Sequence, residues 1–516
     1  MKGLPYMPYT ANKAQQQTLQ FGGVEYGKSG DDGALSESMN LSARQFPALS
    51  QRTARTVFGT YEKATAIFGK GKLCVVDGTK FLYGGEEKGT VTEGEKQIVS
   101  VNTKIVIWPD MVYYDTKEDK FGSIGERVII GANRTTFTQN TLTITDSSIG
   151  GKLEDFFAVN QAVEISNTYE LGNDKELVIR GVEGNTLTFS ENSFTPGTPD
   201  SPVMIKRRVP ELKVICSSNN RLWGADDTTI WASALGDPLT WFNYDGLSTD
   251  SYSVAVGTDG PFTACCEYGS NVLFFKEDKL HKLIGSAPSE CAIYTYSIPG
   301  VQLGSMRSAQ VINEVLYYKG VDGVYAYNGG VPYPVSENFG TRRFQDARAG
   351  NDSRTYYISM QDEETGEWGL WTLDTERGIW LREDTTHAID FTTLDGDMMF
   401  LADEGKTVYR VEPSEGGERL RWFAQLYPME ETAQGKRGYS HLYLRYEMEP
   451  GAWLQVEIRE DAAPFRKIGA FHGDRRRTGT ITMAPGRCDT FQLRLSGEGR
   501  CVLKSLVRQF DVGSDV

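Results

Sequence analysis

Asp77-Gly78-Thr79-Lys80-Phe81-Leu82-Tyr83-Gly84-Gly85 and, far along the chain, Asp322-Gly323-Val324-Tyr325-Ala326-Tyr327-Asn328-Gly329-Gly330 are two versions of one phrase. Each opens on Asp-Gly, the pair that best tolerates the left-handed backbone of a tight hairpin. Each then runs through an aromatic strand and closes on Gly-Gly. The strand before the first copy, Lys72-Leu-Cys-Val-Val76, is continuously apolar, as a strand buried on both faces must be.

Weaker copies lie between and beyond: Asn220-Arg-Leu-Trp-Gly224 running to Trp231, Asn271-Val-Leu-Phe-Phe275 running to Leu283, and Asp397-Met-Met-Phe-Leu401 running to Tyr409. Units begin near residues 72, 97, 212, 262, 307, 354 and 386, with one long gap. A spacing of roughly 25–50 residues suits propeller blades. A unit of that size cannot bury both faces of its own sheet, and stacking blade against blade removes the difficulty.

The gap, residues 120–210, alternates with period two in Thr141-Leu-Thr-Ile144, Ala162-Val-Glu-Ile165 and a hairpin over Leu177–Phe189. It predicts a small β-barrel-like domain inserted between blades. Beyond Glu412-Pro-Ser-Glu-Gly-Gly417 the strands lengthen, as in Tyr439–Tyr446, Trp453–Ile458 and Thr490–Leu495, which predicts a C-terminal β-sandwich. Residues 1–40 are polar, with Gln15-Gln16-Gln17 and Gly30-Asp-Asp-Gly33, and read as the main part of an extended arm. The expected organisation is therefore all-β: an N-terminal arm (1–52), the first part of a β-propeller (53–119), an inserted β domain (120–210), the rest of the propeller (211–415) and a β-sandwich (416–516).

Composition agrees. Among 516 residues there are 55 Gly, 25 Tyr and 24 Phe, a mixture that favours strands and tight turns. Lys and Arg number 54 against 69 Asp and Glu, for a net charge of −15. Such a surface repels phosphate backbones, which argues against gripping nucleic acid but does not exclude a conduit through which DNA slides, where weak adhesion is an advantage. The seven cysteines are scattered and form no C-x-x-C pair, so reduced thiols within strands are expected, with Cys265 and Cys266 on opposite strand faces. Met1-Lys2-Gly3-Leu4-Pro5-Tyr6 has no secretory apolar core, and Lys104–Trp108 is too short to span a bilayer; synthesis in a cytoplasm and no membrane segment are the expectation.

No residue emerges as catalytic, cofactor-binding or metal-ligating. His281, His387, His441 and His472 stand apart, without the H-x-x-x-H spacing that places two imidazoles on one ion. Gly69-Lys70-Gly71-Lys72 lacks the spacing of a phosphate loop and leads into a strand, so it reads as a turn. Asp226-Asp227, Asp362-Glu363-Glu364 and Asp395/Asp397 could supply paired carboxylates for glycoside hydrolysis, but all fall where hairpin turns are expected. Lys206-Arg207-Arg208 and Arg475-Arg476-Arg477 read as loop charge. Trp223, Trp231, Trp241, Trp368, Trp371 and Trp380 read as packing between blades.

The phrases Leu41-Ser-Ala-Arg-Gln-Phe-Pro-Ala-Leu-Ser50, Asn220–Ala225 with Ile230-Trp-Ala-Ser233 and Asp237-Pro-Leu-Thr-Trp241, and Asp374-Thr-Glu-Arg-Gly-Ile-Trp380 resemble virion structural proteins of tailed bacteriophages. The resemblance is closest to the β-propeller tail nozzle of short-tailed phages. It implies a homo-oligomeric ring around the DNA exit channel, in the virion tail, with adaptor and fibre proteins as partners and DNA passing without specific binding. No gate segment matches. A baseplate or receptor-binding tail protein, a carbohydrate-active propeller enzyme and an intracellular scaffold are the rival readings.

Overall fold

A computed structural model describes residues 12–27, 31–147, 149–411, 419–429, 436–473, 477–483 and 487–512. The chain forms two compact units, Met1–Thr60 with Asp322–Ala326 and Tyr333–Val516, and Tyr61–Val321 with Tyr327–Pro332. The fold class is all-β, a β-propeller with an inserted β domain and a C-terminal β-sandwich.

In the unit built on Tyr61–Val321, four antiparallel four-stranded meanders follow one another as blades. They start at Ala64–Lys70, Gln97–Val101, Val214–Ser218 and Ala264–Tyr268, and these first strands run side by side. Second strands such as Lys104–Trp108 and Asn271–Lys276 are apolar almost throughout because a neighbouring blade covers each face. The clusters between blades show this directly: Cys74, Val76 and Phe81 pack with Ile105, Ile107 and Tyr114. The fourth strand Glu86–Thr90 faces water and is polar.

The inserted domain has its own core, including Ile130, Leu142, Val163, Leu187 and Ile205, between two four-stranded sheets. Its first strand is Arg127–Ile130, and Lys120–Ser123 completes the preceding blade, so the insertion begins later than residue 120. The hairpin expected over Leu177–Phe189 divides. Lys175–Val178 pairs with Ala162–Ser166 in one sheet, while Gly181–Glu183 and Thr186–Thr188 form a shorter hairpin in the other. A strand can change sheets here because Val178 and Gly181 are separated by only two residues that form no ladder.

The other unit holds a blade of strands Phe344–Asn351, Thr355–Asp362, Trp368–Asp374 and Ile379–Asp384. Its next blade takes three strands from Asp390–Leu394, Asp397–Ala402 and Thr407–Arg410, and the fourth from Thr56–Thr60. The C-terminal sandwich stacks Tyr439 of one sheet on Phe491 of the other, ring centroids 3.9 Å apart.

Residues 1–52 are not a free arm over their described part. Asn12–Thr18 pairs with Cys501–Val512, Leu35–Met39 with Arg421–Leu426, and Leu49–Gln51 with Cys501–Val512. The sandwich is thus built from both ends of the sequence. Polar Gln15–Gln17 can form a strand because Asn12–Thr18 lies at a sheet edge, where only the backbone ladder is demanded. The linker phrase Glu412–Gly417 lies outside the described residues.

Candidate functional site

In the unit that includes Met1–Thr60, four charged side chains meet where the chain leaves the sandwich strand Leu49–Gln51 and enters the blade strand Thr56–Thr60. Arg52 and Arg55 flank that crossing, and Glu383 and Asp384 end the strand Ile379–Asp384. Arg55 reaches Glu383 at 2.6 Å and Asp384 at 2.8 Å; Arg52 reaches them at 3.4 and 3.3 Å. Arg52 also donates to Asn40 Oδ1 and the Thr53 carbonyl, both at 2.9 Å. The Arg55 guanidinium lies 4.9 Å from the centre of the Phe400 ring.

Burial by itself would raise the Asp384 carboxyl, but Arg55, the Thr386 hydroxyl and amide, and Arg52 together hold it below the usual carboxylate range. Burial would lower Arg55, and Glu383 and Asp384 more than reverse this. A general acid needs the opposite setting, one that keeps its proton at neutral pH. The cluster is organised to hold chain segments together.

Beside it, Leu41–Arg44 borders a small cleft with Thr355, Tyr357 and Asp374. Arg44 pairs with Asp352 at 2.5 Å, and Tyr357 donates to the same carboxylate at 3.1 Å. Asp374 takes Arg354 and Arg377, each at 3.0 Å. These carboxylates are met by guanidinium groups, and the cleft binds its own walls through them.

The acidic turns stay separate. Asp226 accepts from the Thr228 and Thr229 amides, both at 2.8 Å, and from Trp231 Nε1 at 2.9 Å, while Asp227 pairs with Lys213. Asp362 accepts from the Glu364 and Thr365 amides. Asp397 meets Arg410 at 3.4 Å, and Asp395 occupies a left-handed turn position. These are the bonds of side chains that stabilise turns.

His281 is buried, with Nδ1 2.8 Å from Thr295 Oγ1 and Nε2 3.1 Å from Thr258 Oγ1. Burial, with Lys276 and Lys279 nearby, pushes its pKa down to about 4. His387 stacks on Trp368 and His441 lies parallel to Tyr443, while His472 ends an exposed stretch of strand. Gly69–Lys72 is the turn of a hairpin. Among the described residues no group of three or more His, Cys, Asp or Glu is gathered as for a metal ion. Trp223, Trp241, Trp371 and Trp380 are buried in the core.

Arg207 is not solvated loop charge: it is 4% exposed and donates to Gln161, to the Ser123 and Ile124 carbonyls and to the Phe156 carbonyl. It fastens the root of the inserted domain, where several carbonyls would otherwise be buried without donors. Its neighbour Arg208 pairs with Glu176 and covers the Phe242 ring. Arg475 and Arg476 lie outside the described residues, and Arg477 faces Glu447 at 3.8 Å.

A second device recurs in the unit built on Tyr61–Val321. Val272-Leu-Phe-Phe-Lys276 and Val315-Leu-Tyr-Tyr-Lys319 are two versions of one pattern, each a run of apolar and aromatic residues ending in a lysine that is 1% exposed. Lys276 Nζ donates to the Thr258 and Asp259 carbonyls at 2.6 and 3.3 Å. Lys319 Nζ donates to Gln302 Oε1 at 2.8 Å and the Gly320 carbonyl at 2.5 Å. Thr258 and Gln302 precede their lysines by 18 and 17 residues, on the segments that lead into each blade. A lysine ending an apolar run is the signal that marks this clamp.

No protein-family model matches the chain, and no curated protein matches it. Among solved structures it is similar to BamB from Moraxella catarrhalis, at 10% identity over 71% of this chain and 99% of that one, with a TM-score of 0.35. It is also similar to PorZ, a surface component of the type-IX secretion system of Porphyromonas gingivalis, at 10% identity over 88% and 82%, TM-score 0.30. An exo-β-1,3-galactanase from Phanerochaete chrysosporium matches at 8% identity over 56% and 92%, TM-score 0.23. Similarity at this level carries no functional argument.

Proposed function

We propose that the chain is a non-enzymatic structural component of a bacteriophage tail, assembled in several copies as a ring around the DNA exit channel and offering attachment surfaces to adaptor and fibre proteins. The observation that carries the reading is how the acidic residues are used. Asp226, Asp362 and Asp374 bind the amides of their own turns, and Glu383 and Asp384 bind buried arginines. Their charge is spent on holding the chain in shape. The resemblance of Leu41–Ser50, Asn220–Ala225 and Asp374–Trp380 to phage virion proteins and the net charge of −15 support the same reading.

Antibody labelling of particles from the source culture, viewed by electron microscopy, tests it. Label in a ring at the tail end is the expected result, and absence of label from every particle overturns it. A receptor-binding position in the tail is favoured by one feature, the outer strand Ala292–Tyr296, whose Tyr294 and Tyr296 are 50% and 44% exposed on one strand face. Label on protruding tips, together with glycan binding lost in Y294A, would move the assignment there.

A further inference from the structure

The first strands of two neighbouring blades, Val214–Ser218 and Ala264–Tyr268, run side by side. Ser218 Oγ donates to Glu267 Oε1 at 2.9 Å, a pair 49 residues apart. The same offset sets Cys216 against Cys265, two positions earlier on each strand. Side chains alternate along a strand, so these thiols face one another as Ser218 and Glu267 do. Both thiols are buried in one apolar cluster with Trp223, Phe262 and Phe274, and the Cys216 thiol is among the groups that raise the Cys265 thiol. Alternation turns Cys266 to the other face.

We propose that Cys216 and Cys265 are a disulfide-competent pair, which a small-molecule disulfide such as oxidised glutathione converts into a covalent staple between the two blades. One cysteine thiolate attacks a sulfur of glutathione disulfide, leaving a mixed disulfide and releasing one glutathione thiolate. The second cysteine thiolate attacks the protein sulfur, forms the Cys216–Cys265 bond and releases the other glutathione. Two electrons pass from the cysteine pair to the oxidant, and the two thiol protons end on the two glutathione molecules. Burial raises the Cys265 thiol well above its ordinary range, so the exchange is slow at neutral pH and faster in alkali. The staple closes a loop of about 50 residues, long enough to raise the melting temperature by several degrees. This inference stands independently of the tail reading.

The reduced, folded full-length chain is incubated with oxidised glutathione at alkaline pH, quenched in acid, alkylated in denaturant and mapped by mass spectrometry. Glutathione on half-buried Cys291 shows that the oxidant acted. The expected product is a peptide pair linked through Cys216 and Cys265, with a raised melting temperature that a reductant reverses. The C266S variant forms the same link, and C216S and C265S do not. Full alkylation of both cysteines while Cys291 is modified, a stable glutathione adduct on either, or a link through Cys266 overturns the proposal.

Discussion

Arg55 Nη2 lies 2.6 Å from Glu383 Oε2, both side chains largely buried, so that two positions 328 residues apart in sequence share one charge pair. Removing one partner leaves the other buried with a single ionic partner, Asp384 for Arg55 or Arg52 for Glu383, so the loss approaches but stays below the roughly 3–5 kcal/mol of a fully broken buried pair. E383Q and R55M are each expected to lower the unfolding midpoint strongly. The double variant should lose less than the sum, as a double-mutant cycle in denaturant will show.

Acid should attack the same cluster through Asp384. Its carboxyl titrates below the ordinary range in the folded chain, so the unfolded chain holds that proton more firmly. The stabilisation is complete above the unfolded value of about 4 and is lost as pH falls through the folded value. Urea midpoints should drop below about pH 4, and D384N should make that drop shallower.

His281 gives a window at higher pH. The folded imidazole titrates at about 4, and an unfolded one near 6.5. Between these values the unfolded chain binds a proton that the folded chain refuses, so stability falls as pH is lowered across the window. H281N should flatten that slope. The His281 ring resonances should stay unshifted from pH 7 to about 5, since the folded group remains neutral there.

The lysine clamps make a prediction about local opening. K276M keeps the apolar stem but leaves the Thr258 and Asp259 carbonyls without their donor, at a cost of about 1–3 kcal/mol. Amides around residues 258–263 should exchange hydrogen faster in K276M, and those around 302–308 in K319M. The Thr263 amide, bonded to the Phe275 carbonyl at 2.8 Å, is the most direct reporter.

Much of the blade architecture is readable in the sequence, because a strand covered on both faces must be apolar throughout and a hairpin turn must accommodate a left-handed residue. Lys72–Val76 and Asp77-Gly78 satisfy both demands. The strand Asn12–Thr18 is not readable, because an edge strand makes no demand on side chains and a run of glutamines satisfies its ladder as well as any other. The buried Arg207 escaped for a different reason. A guanidinium paired to backbone carbonyls leaves no complementary acidic residue in the sequence to reveal its burial. The turn carboxylates lie nearest the surface of the text: Asp226 and Asp362 each sit before the small or polar residues whose amides they take.

Building the sandwich from both ends of the sequence imposes an order on synthesis. A ribosome adding roughly 5–20 residues per second delivers the partners of Asn12–Thr18 and Leu35–Met39 only after an interval on the order of a minute. Until then the beginning of the chain must stay soluble without its ladder partners, and glutamine-rich, weakly apolar segments can do so. The strand Thr56–Thr60 waits in the same way for Thr407–Arg410. Synthesis halted before Cys501–Val512 would therefore leave Asn12–Thr18 and Arg437–Met448 without their shared ladder partner, and quality control would meet unpaired edges at widely separated positions.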